Sequence, residues 1–138
     1  MIETLLLPLL GRELFSKVFN ETSNNVYNGL EELKKYNHYN LDNLIEQLDI
    51  QNKMKIIESY IKKREDNILE EHIKLSINSI INIIEKINEE IKDINTQIIE
   101  HELKWFPSYR KPDIKNKINN LINHSLIFDK RLDLMFKI

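Results

Sequence analysis

Two histidines stand beside carboxylates, the combination that a metal site or general acid–base catalysis would use. His72 follows two glutamates directly, and His101 stands between two glutamates. Adjacent residues point about 100° apart on a helix, so neither group presents its side chains to one ligand. The two histidines are also 29 residues apart, and the Glu-x-x-His spacing of di-iron bundles is absent. We therefore expect no metal site.

The rest of the composition argues against catalysis. The chain has no cysteine, which excludes a disulfide, a thiolate ligand and a cysteine nucleophile, and its two glycines leave little material for a phosphate-cradling loop. No strand–turn–helix elbow is present for a nucleophilic serine. We expect a non-enzymatic protein without catalytic or cofactor-binding residues, cofactor or small-molecule substrate. The net charge of -2 also argues against a nucleic-acid partner.

A cluster of aromatic residues with one arginine follows the predicted long helix, on both sides of Pro107 and before Pro112. Its members are Trp105, Phe106, Tyr109 and Arg110. Three interpretations stay open: a plug over the end of the fold, a docking epitope, since aromatics with arginine anchor interfaces, and a surface that stacks on nucleic-acid bases. The docking interpretation makes these four residues candidates for protein contact.

The chain opens with an apolar run that Pro8 and Gly11 interrupt. Its length is well short of the roughly 20 residues that span a bilayer, and it lacks the positive start of a signal peptide. A buried first helix over residues 1–19 is one interpretation, and an oligomer-contact or interfacial helix is the other. The contact candidates in this run are Leu5, Leu6, Leu7, Leu9 and Leu10.

A ladder of isoleucines in the second half organises the fold. Its members follow one another in steps of four and three: Ile73, Ile77, Ile80, Ile84, Ile87, Ile91, Ile94 and Ile98. This spacing predicts one long helix over about residues 67–103 with a continuous apolar seam. Ile81 and Ile83 widen the seam, which favours burial by two or three neighbouring helices over a two-stranded coiled coil.

A second stripe with the same steps predicts a C-terminal helix over about residues 113–137. Prolines mark the connection before it, so we expect it to lie antiparallel to the long helix. Charge favours that pairing, because residues 65–102 carry ten acidic and three basic side chains, net -7, while residues 104–138 carry three acidic and eight basic ones, net +5. From its length, we expect this helix to cover the C-terminal two-thirds of the ladder and the N-terminal helices to cover the Ile73–Ile80 end.

Three polar residues are candidate N-caps for short helices before the ladder. They are Ser23, Asn40 and Asp49, each followed by apolar residues at helical spacing. Together with the long helices, these segments predict an all-α fold: one domain over residues 1–138, a helical bundle of about five to six helices.

The C-terminal half resembles a known group of viral proteins. The resemblance lies in Ile-Asn-Glu-Glu-Ile (87–91), the turn Lys-Trp-Phe-x-Ser-Tyr-Arg-x-Pro-Asp (104–113) and Leu-Ile-Phe-Asp-Lys-Arg-Leu-Asp-Leu (126–134). These motifs are similar to those of small, uncharacterised all-α proteins of large nucleocytoplasmic (giant) DNA viruses. The resemblance implies a viral origin, and it brings no reaction, ligand or site residue with it. The layout alone is also similar to helical bundles of membrane-permeabilising cell-death effectors.

We therefore expect a protein-interaction or structural helical bundle that binds a protein partner or itself, as a virion or assembly component or as a binder of a host factor. Such a protein would be intracellular, in the host cytoplasm or the virion, and not secreted. The alternative is a membrane-active bundle that uses residues 1–19.

Overall fold

The computed structural model describes residues 12–35, 41–63, 70–103 and 114–137. These residues form five α-helices and, within those ranges, no strand. In chain order they are α1 (Arg12–Lys34), α2 (Leu41–Leu48), α3 (Ile50–Lys63), α4 (Glu71–Glu102) and α5 (Lys115–Phe136). The predicted all-α helical bundle with a long central helix and a C-terminal helix is confirmed.

The isoleucine ladder forms the spine of the core. All eight of its members are buried in α4. Ile81 and Ile83, which flank the seam, are buried as well. A two-stranded coil would leave such flanking positions at its edge, so their burial confirms that several helices surround α4. The core continues into the other helices through large apolar side chains, among them Phe19, Leu30, Met54, Ile57, Leu121 and Phe128.

Helix α5 runs antiparallel to α4, as predicted. Lys117 at the start of α5 contacts Asp93, and Arg131 near its end donates to the Ser79 carbonyl. The expected coverage is wrong, however. The first turn of α5 lies beside Asp93, nine residues before the end of α4, and the helix then reaches past Ser79 toward the start of α4. The connection over residues 104–113 lets α5 begin beside a point about two and a half turns before the end of α4, which the prediction from helix length did not consider.

Helix α1 is continuous through Ser23, so the prediction that Ser23 caps a separate helix is wrong. Ser23 is buried on the stripe that contains Phe19, Val26 and Leu30. A serine fits there because a small side chain tolerates burial at helical spacing without ending the helix. The predicted cap Asn40 lies outside the described residues.

Asp49 marks the break between α2 and α3. Its φ of 50° is left-handed, a conformation that asparagine and aspartate tolerate better than most residues. Its carbonyl accepts the Lys53 N–H at 3.2 Å, and its side chain accepts a bond from the Asn52 amide at 2.7 Å. Asp49 therefore lies directly before α3, at the N-cap position that the sequence predicts, and its carboxylate accepts a hydrogen bond from the Asn52 side chain.

Helix α3 contacts α1 on one side and α5 on the other. Tyr27 of α1 donates to Glu58 of α3. On the opposite side, Lys53 pairs with Asp129 of α5 at 2.5 Å. Helix α1 in turn packs against α4, where the Asn95 amide donates to the Gly29 carbonyl at 3.1 Å. The ladder is thus enclosed by helices from both ends of the chain.

Candidate interaction surfaces

The contact residues predicted from the sequence lie outside the described residues. This holds for the apolar start, Leu5, Leu6, Leu7, Leu9 and Leu10, and for the aromatic cluster, Trp105, Phe106, Tyr109 and Arg110. The two segments flank described helices, since the first precedes α1 and the second joins α4 to α5. Their contact role stays a prediction.

The two histidine–carboxylate groups lie in different environments. His72 is exposed at the start of α4, with its Nε2 3.6 Å from Glu70 Oε2. His101 is buried near the end of the same helix, and its Nδ1 has no hydrogen-bond partner among the described residues. Within the described part of the chain, no three His, Asp or Glu side chains come together as a metal site would require.

A half-buried hydrogen bond joins Tyr27 of α1 to Glu58 of α3. The Tyr27 hydroxyl donates to Glu58 Oε1 at 3.0 Å. Burial, together with this hydrogen bond and the nearby negative charge, raises the pKa of Tyr27 well above its ordinary value of 10.0. A tyrosine held neutral in this way stabilises the contact between two helices, and it is a poor general base.

A polar cluster, formed by Glu90 and Asp93 of α4 with Lys117 and His124 of α5, lies along the edge of the α4–α5 interface. Lys117 Nζ lies 3.0 Å from Asp93 Oδ2 and 3.9 Å from Glu90 Oε2. His124 Nε2 lies 3.8 Å from Glu90 Oε1, a contact that becomes ionic when His124 is protonated. The hydrogen bond to Asp93 and the charges of both carboxylates raise the pKa of Lys117. A lysine kept protonated fits charge pairing between helices, since a nucleophilic amine needs a lowered pKa.

Two open cavities occur between described helices. One, of about 420 Å³, lies at the α2–α3 corner beside Lys34 and is bordered by Asp42, Glu46 and Asp49. The other, of about 370 Å³, lies between α1 and α3 and is bordered by residues that include Asn20 and Glu58. Both are open to solvent and lined mostly by polar residues, so they do not enclose a small molecule as a typical ligand pocket does.

Several large apolar side chains remain on the surface. Those on the described helices that are more than half exposed are Leu75, Leu103, Leu126, Leu134 and Phe136. Phe136 lies edge-on to Tyr60 of α3, with ring centroids 5.8 Å apart. None of these residues was predicted from the sequence as a contact residue. Their signal was present in the sequence, because Leu75 and Leu134 are apolar positions that fall outside the two buried stripes.

None of the described helices is long and apolar enough to cross a membrane.

The comparisons with known proteins give one viral similarity. The chain is similar to Uncharacterized protein L717 of Acanthamoeba polyphaga mimivirus, with 26% identity over 133 residues. The similarity covers 75% of this chain and 65% of the viral protein, so the chain spans less than two-thirds of that relative. No protein-family model matches the chain. No solved structure matches it either.

Proposed function

We propose that this protein is a non-enzymatic helical bundle that acts by binding another protein. The observation that carries the proposal is the contrast between core and surface. The ladder is completely enclosed by the bundle, yet Leu75 of α4 and Leu134 of α5, each one turn from the Ser79–Arg131 contact, remain more than half exposed. Apolar residues exposed together mark a surface that another molecule covers, whereas a single exposed leucine such as Leu126 needs no partner.

The chemistry of the described surface supports the same proposal. Charged side chains such as Lys117 and Glu90 pair between helices and hold the fold together, and Tyr27 is kept neutral by its contact with Glu58. These groups have structural partners, which accounts for them without a substrate.

The similarity to a mimivirus protein supports a viral setting. We propose that the protein belongs with the small all-α proteins of giant DNA viruses and works inside the infected cell, either as a virion or assembly component or as a binder of a host factor. The apolar start and the aromatic cluster remain the contact residues that we propose from the sequence.

Affinity purification from infected cells, followed by mass spectrometry, tests this function. Wild-type protein is compared with two variants, one carrying Leu6→Glu and Leu10→Glu and the other Trp105→Ala. We expect a virion or host protein to copurify with the wild type and to be lost from at least one variant. Leu126→Ser is the control, because Leu126 is exposed on α5 and distant in sequence from both segments.

The membrane-active alternative predicts a different outcome. In that case the protein would bind liposomes or make them leak, and the variant with Leu6→Glu and Leu10→Glu would do neither. Point substitutions are preferable to deleting residues 1–19, because the deletion would also remove the buried Val18 and Phe19. A protein that stays monomeric, ignores liposomes and retains no partner would contradict both functions.

A further inference from the structure

Leu75, Ile127 and Leu134 form an exposed apolar strip along the α4–α5 interface, here called the outer strip. The hydrogen bond from Arg131 Nη1 to the Ser79 carbonyl, 2.7 Å long, fixes the register of the two helices. Leu134 lies one turn after Arg131, and Leu75 lies one turn before Ser79. Because the helices are antiparallel, both steps lead in the same direction, and the two leucines lie at the same level.

The helical repeat also places Leu75 on the exposed face of α4 that carries Asp93, which a side chain of α5 reaches. Asp93 lies 18 residues after Leu75, which is about five full turns, so the two side chains point the same way. Asp93 contacts Lys117 of α5. On α5, Ile127 lies one turn before Arg131, which reaches α4. The exposed fractions are 59% for Leu75, 38% for Ile127 and 62% for Leu134.

Three exposed lysines border the outer strip. Lys130 and Lys137 each lie one turn from Leu134, and Lys86 lies on α4 two turns after Ser79. None of the three forms an ion pair with a described residue. Glu71, one turn before Leu75, and Asp133, next to Leu134, also border the strip, so the rim carries three positive charges against two negative ones.

We propose that the outer strip docks an acidic amphipathic helix of a partner protein. This proposal rests on the proposed function and specifies one surface and the chemistry of its partner. The groove between two packed helices accepts the side chains of a third, and apolar residues at steps of three and four can follow such a groove. Acidic residues beside them would meet the three lysines, which supplies orientation as well as attraction.

The charges farther along the groove favour a helix over an anionic membrane. Glu89 and Asp93 lie on the same outer side of α4, beyond Lys86. An anionic lipid surface would approach these carboxylates together with the lysines and be repelled by them. A helix carries its charges on separate side chains, so it can place its acidic residues beside Lys130 and Lys137, at the end of the groove away from Glu89 and Asp93.

A designed peptide provides the probe. It is a helix of about 18 residues with leucines at steps of three and four and glutamates flanking them, labelled with a fluorophore. We expect a saturable rise in fluorescence anisotropy with the full-length protein. The double variant Leu75→Ser with Leu134→Ser should bind at least tenfold more weakly, and so should Lys130→Glu with Lys137→Glu. A matching peptide with lysines in place of the glutamates should not bind the wild type.

Two controls show whether the groove itself is responsible. Leu126→Ser removes an equally exposed leucine, 55% exposed, from another face of α5, and Lys115→Glu changes a charge outside the rim. Both should bind the acidic peptide like the wild type. The proposal would be overturned if Leu126→Ser weakened peptide binding as much as the strip variants do, or if the peptide did not bind the wild type at all. It would also be overturned if the protein bound phosphatidylserine vesicles and the strip variants abolished that binding.

The failure of this proposal can be told apart from failure of the proposed function. If partners copurify with the wild type and are lost with Trp105→Ala while the peptide does not bind, the protein-binding function stands and the outer strip is excluded. Peptide binding that behaves as expected supports the outer strip even when the variants of the apolar start and the aromatic cluster have no effect.

Discussion

Asn95 of α4 donates a hydrogen bond to the carbonyl oxygen of Gly29 in α1, across a distance of 3.1 Å. Gly29 has no side chain at this point, and a Cβ there would lie 2.6 Å from Ile91 Cγ2, one turn before Asn95. The missing side chain lets α1 approach the ladder, and the approach brings the carbonyl within reach of the amide. Two residues far apart in the chain thus fix where α1 crosses α4.

Gly29→Ala should destabilise the protein. Alanine favours a helix by about 1 kcal/mol over glycine, but its Cβ would overlap the buried Ile91. Overpacking of this kind costs about 1–3 kcal/mol, and after the helix-propensity gain we expect a net loss of up to about 2 kcal/mol in the free energy of unfolding. Urea denaturation measures it. Asn28→Ala, at the exposed neighbouring position, should change stability by less than about 0.5 kcal/mol.

A double-mutant cycle tests whether Ile91 Cγ2 causes the loss of stability in Gly29→Ala. If the overlap with Ile91 is the cause, Gly29→Ala should cost less in a protein that already carries Ile91→Ala, since Cγ2 is then absent. An equal cost in both backgrounds would assign the loss to another contact.

Asn95→Asp should destabilise the protein more than Asn95→Leu. At neutral pH the aspartate is ionised and turns an oxygen toward the Gly29 carbonyl, whereas leucine removes both polar atoms of the side chain, including an Oδ1 without a partner among the described residues. We expect a loss of about 3 kcal/mol for the charged variant. Thermal and urea unfolding of both variants at neutral pH compare them directly.

The pH dependence of Asn95→Asp provides a second criterion. Burial opposes ionisation of the new carboxyl and raises its pKa in the folded state above the value of about 3.9 in the unfolded chain. The destabilisation should therefore be small below that value and grow as the pH rises. A loss that is the same at low and neutral pH would point to a steric cause instead.

The spacing of apolar residues was sufficient to predict α4 and α5, because burial on one side of a helix leaves a direct trace at steps of three and four. Ser23 misled the prediction because a small polar residue reads as a cap in sequence, although it also fits on a buried stripe. The Gly29–Asn95 crossing left no such trace, since it depends on how two separate helices approach each other. The outer strip was missed for the same reason: Leu75 and Leu134 come to the same level only through the register that Arg131 sets.

Ile84→Asp should severely destabilise the protein. Ile84 is buried at the centre of the ladder, and an unpaired carboxylate there costs more than about 3 kcal/mol. Ile99→Asp is the matched control on the same helix, because Ile99 is 42% exposed. Circular dichroism melting curves of the two variants should differ clearly. Retention of the wild-type melting temperature by Ile84→Asp would rule out the placement of the core.

Tyr27→Phe should make the free energy of unfolding depend less on pH in the alkaline range. The pKa of Tyr27 is raised in the folded state, so above about 10 the unfolded chain ionises first and gains stability relative to the fold. The contribution of Tyr27 is therefore intact below its ordinary pKa and is lost as the pH rises. Urea midpoints between about pH 8 and pH 11 compare the two proteins. Glu58→Gln, which keeps an acceptor without the charge, should fall between them.

Lys117→Glu should lower the melting temperature at low salt, because it replaces the cation of the polar cluster with a third carboxylate beside Glu90 and Asp93. The pKa of Lys117 is raised by those two groups, so the favourable pairing is present at neutral pH and is lost only as the pH rises above the ordinary lysine range. The difference from the wild type should shrink at about 1 M salt, where the Debye length is about 3 Å. Lys115→Glu is the control, since Lys115 is exposed and forms no ion pair with a described residue. A deficit that persists at high salt would mean that packing of the lysine stem, and not its charge, holds α5 against α4.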